Sequence, residues 1–142
     1  MNNSPLVSII IITYNSQFHF LEKAISSVVI DQTYTNIELI IVDDNSTNGT
    51  RQKLIELQDK YNFKLILLQK NSGSAARPFN EGLKITNGKY VAICAHDDYY
   101  MPDKLAVQVA FHEKHPDFMM SYSKTYIVIQ DENNLKTAKT TK

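Results

Sequence analysis

Two adjacent carboxylates, Asp97 and Asp98, stand with His96 at the end of a short apolar run, Tyr90-Val91-Ala92-Ile93-Cys94-Ala95. The run opens after Asn87-Gly88-Lys89 and reads as a buried strand. Like charges this close repel unless a cation or hydrogen-bond donors offset them. Hard divalent cations prefer carboxylate oxygens, so the pair is a candidate metal site and, through the metal, a candidate phosphate site. His96 by itself reads as a loop histidine. His112 and His115 flank Glu113-Lys114 without the spacing of a zinc-protease motif, and read as a solvated helix end before Pro116.

Such a pair needs a frame, and the rest of the chain supplies one. Leu6 to Thr13 is almost wholly apolar and β-branched, as in a strand buried on both faces. Apolar residues from Phe18 to Val29 recur at helical spacing, with Ser16 in place to cap them. A second strand is predicted over Ile37 to Val42, and a helix over Thr50 to Tyr61 with Leu54, Ile55 and Leu57 on one side. A third strand follows over Phe63 to Leu68. Asn71-Ser72-Gly73-Ser74 reads as a loop; Ser74 would cap a helix to about Thr86, with Pro78 in its first turn. After the Tyr90 strand, Pro102 would open a helix to about Lys114. Phe118 to Tyr122 and Tyr126 to Ile129 read as strands, and the polar stretch from Asp131 to Lys142 as a flexible tail. Strand and helix alternate four times. That pattern predicts an α/β fold: an open, mostly parallel, Rossmann-like sheet with helices on both faces, one domain over residues 1–130.

In open α/β sheets ligands bind beyond the carboxyl ends of the strands. Tyr14-Asn15, Asp43-Asp44-Asn45-Ser46 and His96-Asp97-Asp98 all fall there, with the helix start from Gly73 to Arg77 close to the same rim. Together they offer an aromatic face, acids that accept from base or ribose, a metal site and a cation, the set a nucleoside diphosphate calls for. A receiver-type signalling domain would need an acidic pair where Tyr14-Asn15 stands. A dinucleotide dehydrogenase would need G-x-G-x-x-G after the first strand.

Composition sets outer limits. The 142 residues carry fifteen basic and fifteen acidic side chains, 43% hydrophobic residues and 21% charged ones. A zero formal net charge argues against broad binding to nucleic acid or anionic membranes. Cys94 is the one cysteine; with apolar neighbours it fits a reduced thiol and a cytoplasmic setting, peripheral membrane contact being left open. No run approaches the roughly 20 apolar residues of a membrane span.

The motifs, in order, resemble family 2 glycosyltransferases, which have the GT-A fold. The resemblance is carried by Val7 to Asn15, by Ile25-Ser26-Ser27-Val28-Val29 with Asp31-Gln32-Thr33-Tyr34, and by Ile40 to Thr47. It continues through Asn71-Ser72-Gly73, Asn80-Glu81-Gly82-Leu83 and Gly88-Lys89-Tyr90. It ends with His96-Asp97-Asp98, in the place of the DXD-type motif, and Met101-Pro102-Asp103-Lys104-Leu105. Ser123-Lys124-Thr125-Tyr126 is similar to a stretch in spore-coat-type members. Two departures stand out: Ala95 occupies a position where the family usually has Asp, and Arg77 is set apart from Asn80 by Pro78-Phe79.

The resemblance implies a metal-dependent, inverting transfer of sugar from a nucleotide-sugar, a UDP-sugar above others, to a carbohydrate or other hydroxyl acceptor, with Mn or Mg. It implies nucleotide-sugar contacts from Thr13, Tyr14, Asn15, Asp43, Asp44, Arg77 and Asp97. Tyr14 would lie against the base and Asp44 would accept from it; Asp98, with Asp97, would hold the metal. The resemblance spans about Pro5 to Tyr126. The acceptor half and the general base are expected outside this chain, so the alternative is a non-catalytic nucleotide-sugar-binding module. An open sheet edge would favour pairing of two copies.

Overall fold

The computed structural model describes residues 4–131 and 134–140. The elements are β1 (Val7–Thr13), α1 (Phe18–Val29), β2 (Ile37–Asp43), α2 (Thr50–Tyr61), β3 (Lys64–Leu67), α3 (Ala76–Leu83), β4 (Tyr90–Ala95), α4 (Lys104–Lys114), β5 (Tyr126–Asp131) and β6 (Asn134–Thr140). The chain divides into two compact units, Met1–Val109 and Ala110–Lys142.

In the first unit β1 to β4 form one sheet in the order β3-β2-β1-β4, every neighbouring pair parallel. Strand β1 is central because it is apolar on both faces: Ile9, Ile10 and Ile11 are all fully buried. Its odd residues join Leu21, Ala24, Ile25 and Val28 of α1, Leu54 and Leu57 of α2, and Leu105 and Val109 of α4 in one core. On the other face Ile10 joins Ile40, Val42 and Leu68, with Phe79 of α3 packed against them. Helices therefore cover both faces, as the alternation predicts. Helix α3 lies close to the sheet: a Cβ at Gly82 would stand 3.0 Å from Ile10 Cγ2 and 3.3 Å from Val42 Cγ2. A Cβ there would fit only if the Ile10 and Val42 side chains gave way by a few tenths of an ångström.

The parallel sheet puts the carboxyl ends of β1, β2 and β4 at one rim. The opposite end is tied by Glu38 near the start of β2. Its carboxylate takes Lys64 Nζ at 2.7 Å and also accepts from the Ser8 hydroxyl and from the backbone and side-chain N–H groups of Asn87. Burial pushes this carboxyl up, but the donors outweigh it and hold it down at about 2.

Several local expectations are corrected. Ser16 does not cap α1; Gln17 holds that place without a side-chain bond, while the Ser16 hydroxyl pairs with that of Thr13. Ser74 does not cap α3, which runs from Ala76 to Leu83 with Ala75 at the cap position. On α2 Ile55 is exposed while Leu54 and Leu57 are buried, because a three-residue spacing keeps one face and a single step leaves it. In the second unit Phe118 to Tyr122 forms no strand. Within the stretch read as a flexible tail, Asn134–Thr140 forms β6, antiparallel to β5. Among the described residues no helix is long and apolar enough to cross a membrane.

Candidate functional site

The loops after β1, β2 and β3 are bound to one another before any ligand enters. Asn15 turns the chain after β1 with φ 49°, a conformation asparagine tolerates. Its N–H donates to Ser46 Oγ at 2.8 Å, and its Oδ1 accepts from the Thr47 N–H at 2.7 Å. Asp43 is fully buried; it accepts from the N–H of Ser46 at 3.0 Å and from the Ser46 hydroxyl, with Arg51 Nε at 3.5 Å. Arg51 also donates to Asn45 Oδ1 at 2.9 Å. Asp44, the next residue, faces the third loop. Both carboxylate oxygens accept from the Ser72 N–H at 3.0 Å, Oδ2 also accepts from the Ser72 hydroxyl at 2.8 Å, and the Asp44 carbonyl takes Asn71 Nδ2 at 2.9 Å. Gly73, at φ 69°, lets that loop fold back over Asp44.

Beyond these loops lies a cleft of about 560 Å³, within the range of small-molecule sites. Ile12 and Ile93 give it apolar walls; Tyr14 and Asp44 line it from β1 and β2, Asn71 and Ser74 from the third loop, and Cys94, His96 and Asp97 from the end of β4. Tyr14 keeps 45% of its surface exposed, so its ring is open to a partner. Cys94 is buried, and burial first, then the charge of Asp98, pushes its thiol up to about 12. The thiol therefore favours its protonated form.

The structure brings together Tyr14, Asp44 and Asp97 from the predicted set. It does not bring in the others. Thr13 is fully buried and its carbonyl accepts from the Asp44 N–H at 2.9 Å. Asn15 and Asp43 shape the rim from behind it. Arg77 is exposed in the first turn of α3 and does not line the cleft. Asp98 adjoins Asp97, exposed, outside the lining. Sequence reasoning missed Arg51, a buried-carboxylate partner six residues past Asn45, and it undervalued His96. His96 Nδ1 is buried and has no hydrogen-bond partner among the described residues.

The lining carries two carboxylates and, among the described residues, no lysine or arginine. A diphosphate would meet like charge there unless a cation came with it. No group of three or more histidine, cysteine or acidic side chains forms a closed metal cage among the described residues. Asp97 and Asp98 still suit Mn or Mg. Such ions take one or two carboxylates and draw the remaining ligands from water and phosphate.

A family model described as Glycosyl transferase family 2 matches residues 8–139. The Escherichia coli UDP-Glc:alpha-D-GlcNAc-diphosphoundecaprenol beta-1,3-glucosyltransferase WfaP is 39% identical over 126 residues, covering 86% of this chain and 47% of its own. Among solved structures, S. aureus TarS 1-349 in complex with UDP-GlcNAc has a TM-score of 0.70 at 32% identity, over 78% of this chain and 32% of that one. The mannosyltransferase PcManGT from Pyrobaculum calidifontis, in complex with GDP-Man and Mn2+, has a TM-score of 0.68 at 25% identity, over 78% of this chain and 33% of that one. The chain spans less than half the length of the curated relatives it matches.

Proposed function

We propose, from the premise that this chain belongs to glycosyl transferase family 2, that it is the nucleotide-sugar-binding part of a glycosyltransferase. It takes a UDP-sugar with Mn or Mg, and serves transfer of the sugar, with inversion, to a carbohydrate or other hydroxyl acceptor. The observation that carries this is the cleft in which Tyr14, Asp44 and Asp97 meet at the carboxyl ends of three parallel strands. Relatives that name UDP-Glc and UDP-GlcNAc support the choice of nucleotide.

The chain's own residues divide the work. Tyr14 offers a ring face for the base to stack on. Asp44 is held by Ser72 in one orientation, so its free lone-pair positions are preset to accept from the base or ribose. Asp97 and Asp98 hold the divalent ion, which when bound offsets the negative charge that grows on the departing diphosphate. The apolar walls, Ile12 and Ile93, exclude water from one side of the donor.

The test is a thermal-shift series with UDP, GDP, dTDP and CDP, each with and without Mn. UDP with Mn should raise the melting temperature most, since a ligand of the native state stabilises it by mass action. A melting temperature unmoved by every nucleotide and metal combination would end this reading.

A further inference from the structure

Asp97 and Asp98 are exposed, and what the protein holds is the backbone on either side of them. Upstream, the Asp98 N–H donates to the Ala95 carbonyl at 3.3 Å and closes a turn on the end of β4. Downstream, three consecutive residues are tied to α1 and the turn after it. The Tyr100 N–H donates to Ser27 Oγ at 3.0 Å, the Met101 carbonyl accepts from Gln32 Nε2 at 2.8 Å, and the Pro102 carbonyl accepts from the Thr33 N–H at 2.8 Å. The acids therefore ride on a span of backbone that is fixed at both ends.

Gln32 is the centre of this clasp. It is only 7% exposed, and both ends of its amide are bonded. Besides Met101, Nε2 donates to the Ser27 carbonyl at 3.0 Å, while Oε1 accepts from the Leu105 N–H at 3.2 Å. Two carbonyls on one side and an N–H on the other allow the amide a single orientation. Leu105 lies in the first turn of α4, where backbone N–H groups have no partner within the helix. One side chain thus joins the end of α1, the segment after the acids and the start of α4. A buried amide with its bonds made fixes one arrangement, where an apolar side chain of similar size would let the segment slide.

We infer that Gln32 is a positioning residue for the divalent ion: by fixing the backbone at Met101 it sets where the Asp97 and Asp98 carboxylates converge on Mn or Mg. This rests on the reading above that these acids hold the ion, and it adds a residue that does not line the cleft. Aspartate is short, so its oxygens follow the backbone that carries them, and a shift of this segment moves both carboxylates together. Groups behind the direct ligands change metal affinity about 10–100-fold. Gln32 acts through backbone, so the lower end of that range applies.

The experiment follows the anisotropy of a trace of fluorescently labelled UDP with the chain in excess while Mn is titrated. It compares wild type with Gln32→Met, Ser27→Ala and Leu57→Ala. Gln32→Met keeps the length of the side chain and loses all three bonds. Ser27→Ala loses the tie to Tyr100 and decides the matter if Gln32→Met does not fold. Leu57, buried in α2, takes no part in the clasp and controls for lost stability alone. Melting temperatures without ligand show which variants are folded during the titration. The Mn concentration at half-maximal binding should rise about ten-fold in Gln32→Met and about three-fold in Ser27→Ala, with the plateau recovered at high Mn. In Leu57→Ala it should stay at the wild-type value. Wild-type midpoints in every folded Gln32 and Ser27 variant would overturn this inference and leave donor binding standing. A shift in Leu57→Ala as large as that in the clasp variants would overturn it as well, because the effect would then be one of stability. No anisotropy change for wild type at any Mn concentration would bring down both readings.

Discussion

The carboxylate of Asp44 and the backbone N–H of Ser72 are joined through both oxygens at 3.0 Å, across 28 residues of sequence. The bond fastens the end of β2 to the loop that enters α3. A side chain that could serve a ligand is thereby also a structural tie. Its neighbour Asp43 is turned the other way and fully buried with Ser46 and Arg51. The two acids therefore differ in kind.

Asp44→Ala should cost about 1–3 kcal/mol, because the Ser72 N–H loses its acceptor, while the Ser72 hydroxyl keeps the Ser74 carbonyl at 2.7 Å. Urea denaturation should show a lower midpoint, and amide exchange at Ser72 and Gly73 should quicken well before global unfolding. Unchanged exchange at those amides would mean the loop is held by other contacts.

Asp97→Asn and Asp98→Asn should each reduce the part of the UDP-induced thermal shift that depends on Mn, and the double variant should remove it. For wild type at a hundred-fold excess of ligand over Kd the stabilisation is about 2.7 kcal/mol. Melts with Mn, and with a chelator in its place, measure the metal-dependent share. A full Mn response in the double variant would move the ion elsewhere.

Glu38 predicts an acid limb in the stability curve. Its folded pKa is depressed to about 2 from 4.5. A depressed carboxylate stabilises above its unfolded pKa, and that stability drains as pH falls from about 4.5 to about 2. The amount is on the order of 2 kcal/mol after allowance for partial solvent screening. Glu38→Gln should be less stable than wild type at pH 7, and the gap should close by pH 2. A gap that stays constant between those pH values would contradict the linkage.

Cys94 should resist alkylation in the native state. Its thiol is buried and pushed up to about 12, so at pH 8 the thiolate fraction is about 1 in 10⁴. Iodoacetamide or a disulfide reagent at pH 8 should label it at a rate that rises by orders of magnitude in urea. Labelling as fast as a free thiol without urea would show that the end of β4 opens readily.

The fold was legible in the sequence to the extent that burial is symmetric. Ile9-Ile10-Ile11 needs cover on both faces, which demands a central strand and helices on either side, and both were found. The helix spacing of Leu21, Ala24, Ile25 and Val28 placed α1 for the same reason. Helix starts were less legible. Ser16 and Ser74 have the composition of caps, but the Ser16 hydroxyl pairs with Thr13, three residues back, and Ala75, one residue past Ser74, stands at the cap of α3. Phe118 to Tyr122 has strand composition, yet strand formation needs a neighbouring edge to bond, which composition does not report.

The candidate site divides along the same line. The sequence by itself determined that polar groups end β1, β2 and β4, because a chain leaving an apolar layer must turn in water, and it determined the order of the motifs that mark the family. Only the tertiary structure decided which of those groups meet. Asp44 rather than Asp43 reaches the cleft, Tyr14 lines it while Thr13 is sealed beneath, Arg77 stays outside, and His96 Nδ1 is left without a partner among the described residues. Successive residues in extended chain point to opposite sides, and the side that is open depends on loops such as Asn71 to Ala75, which are distant in sequence and close only after folding.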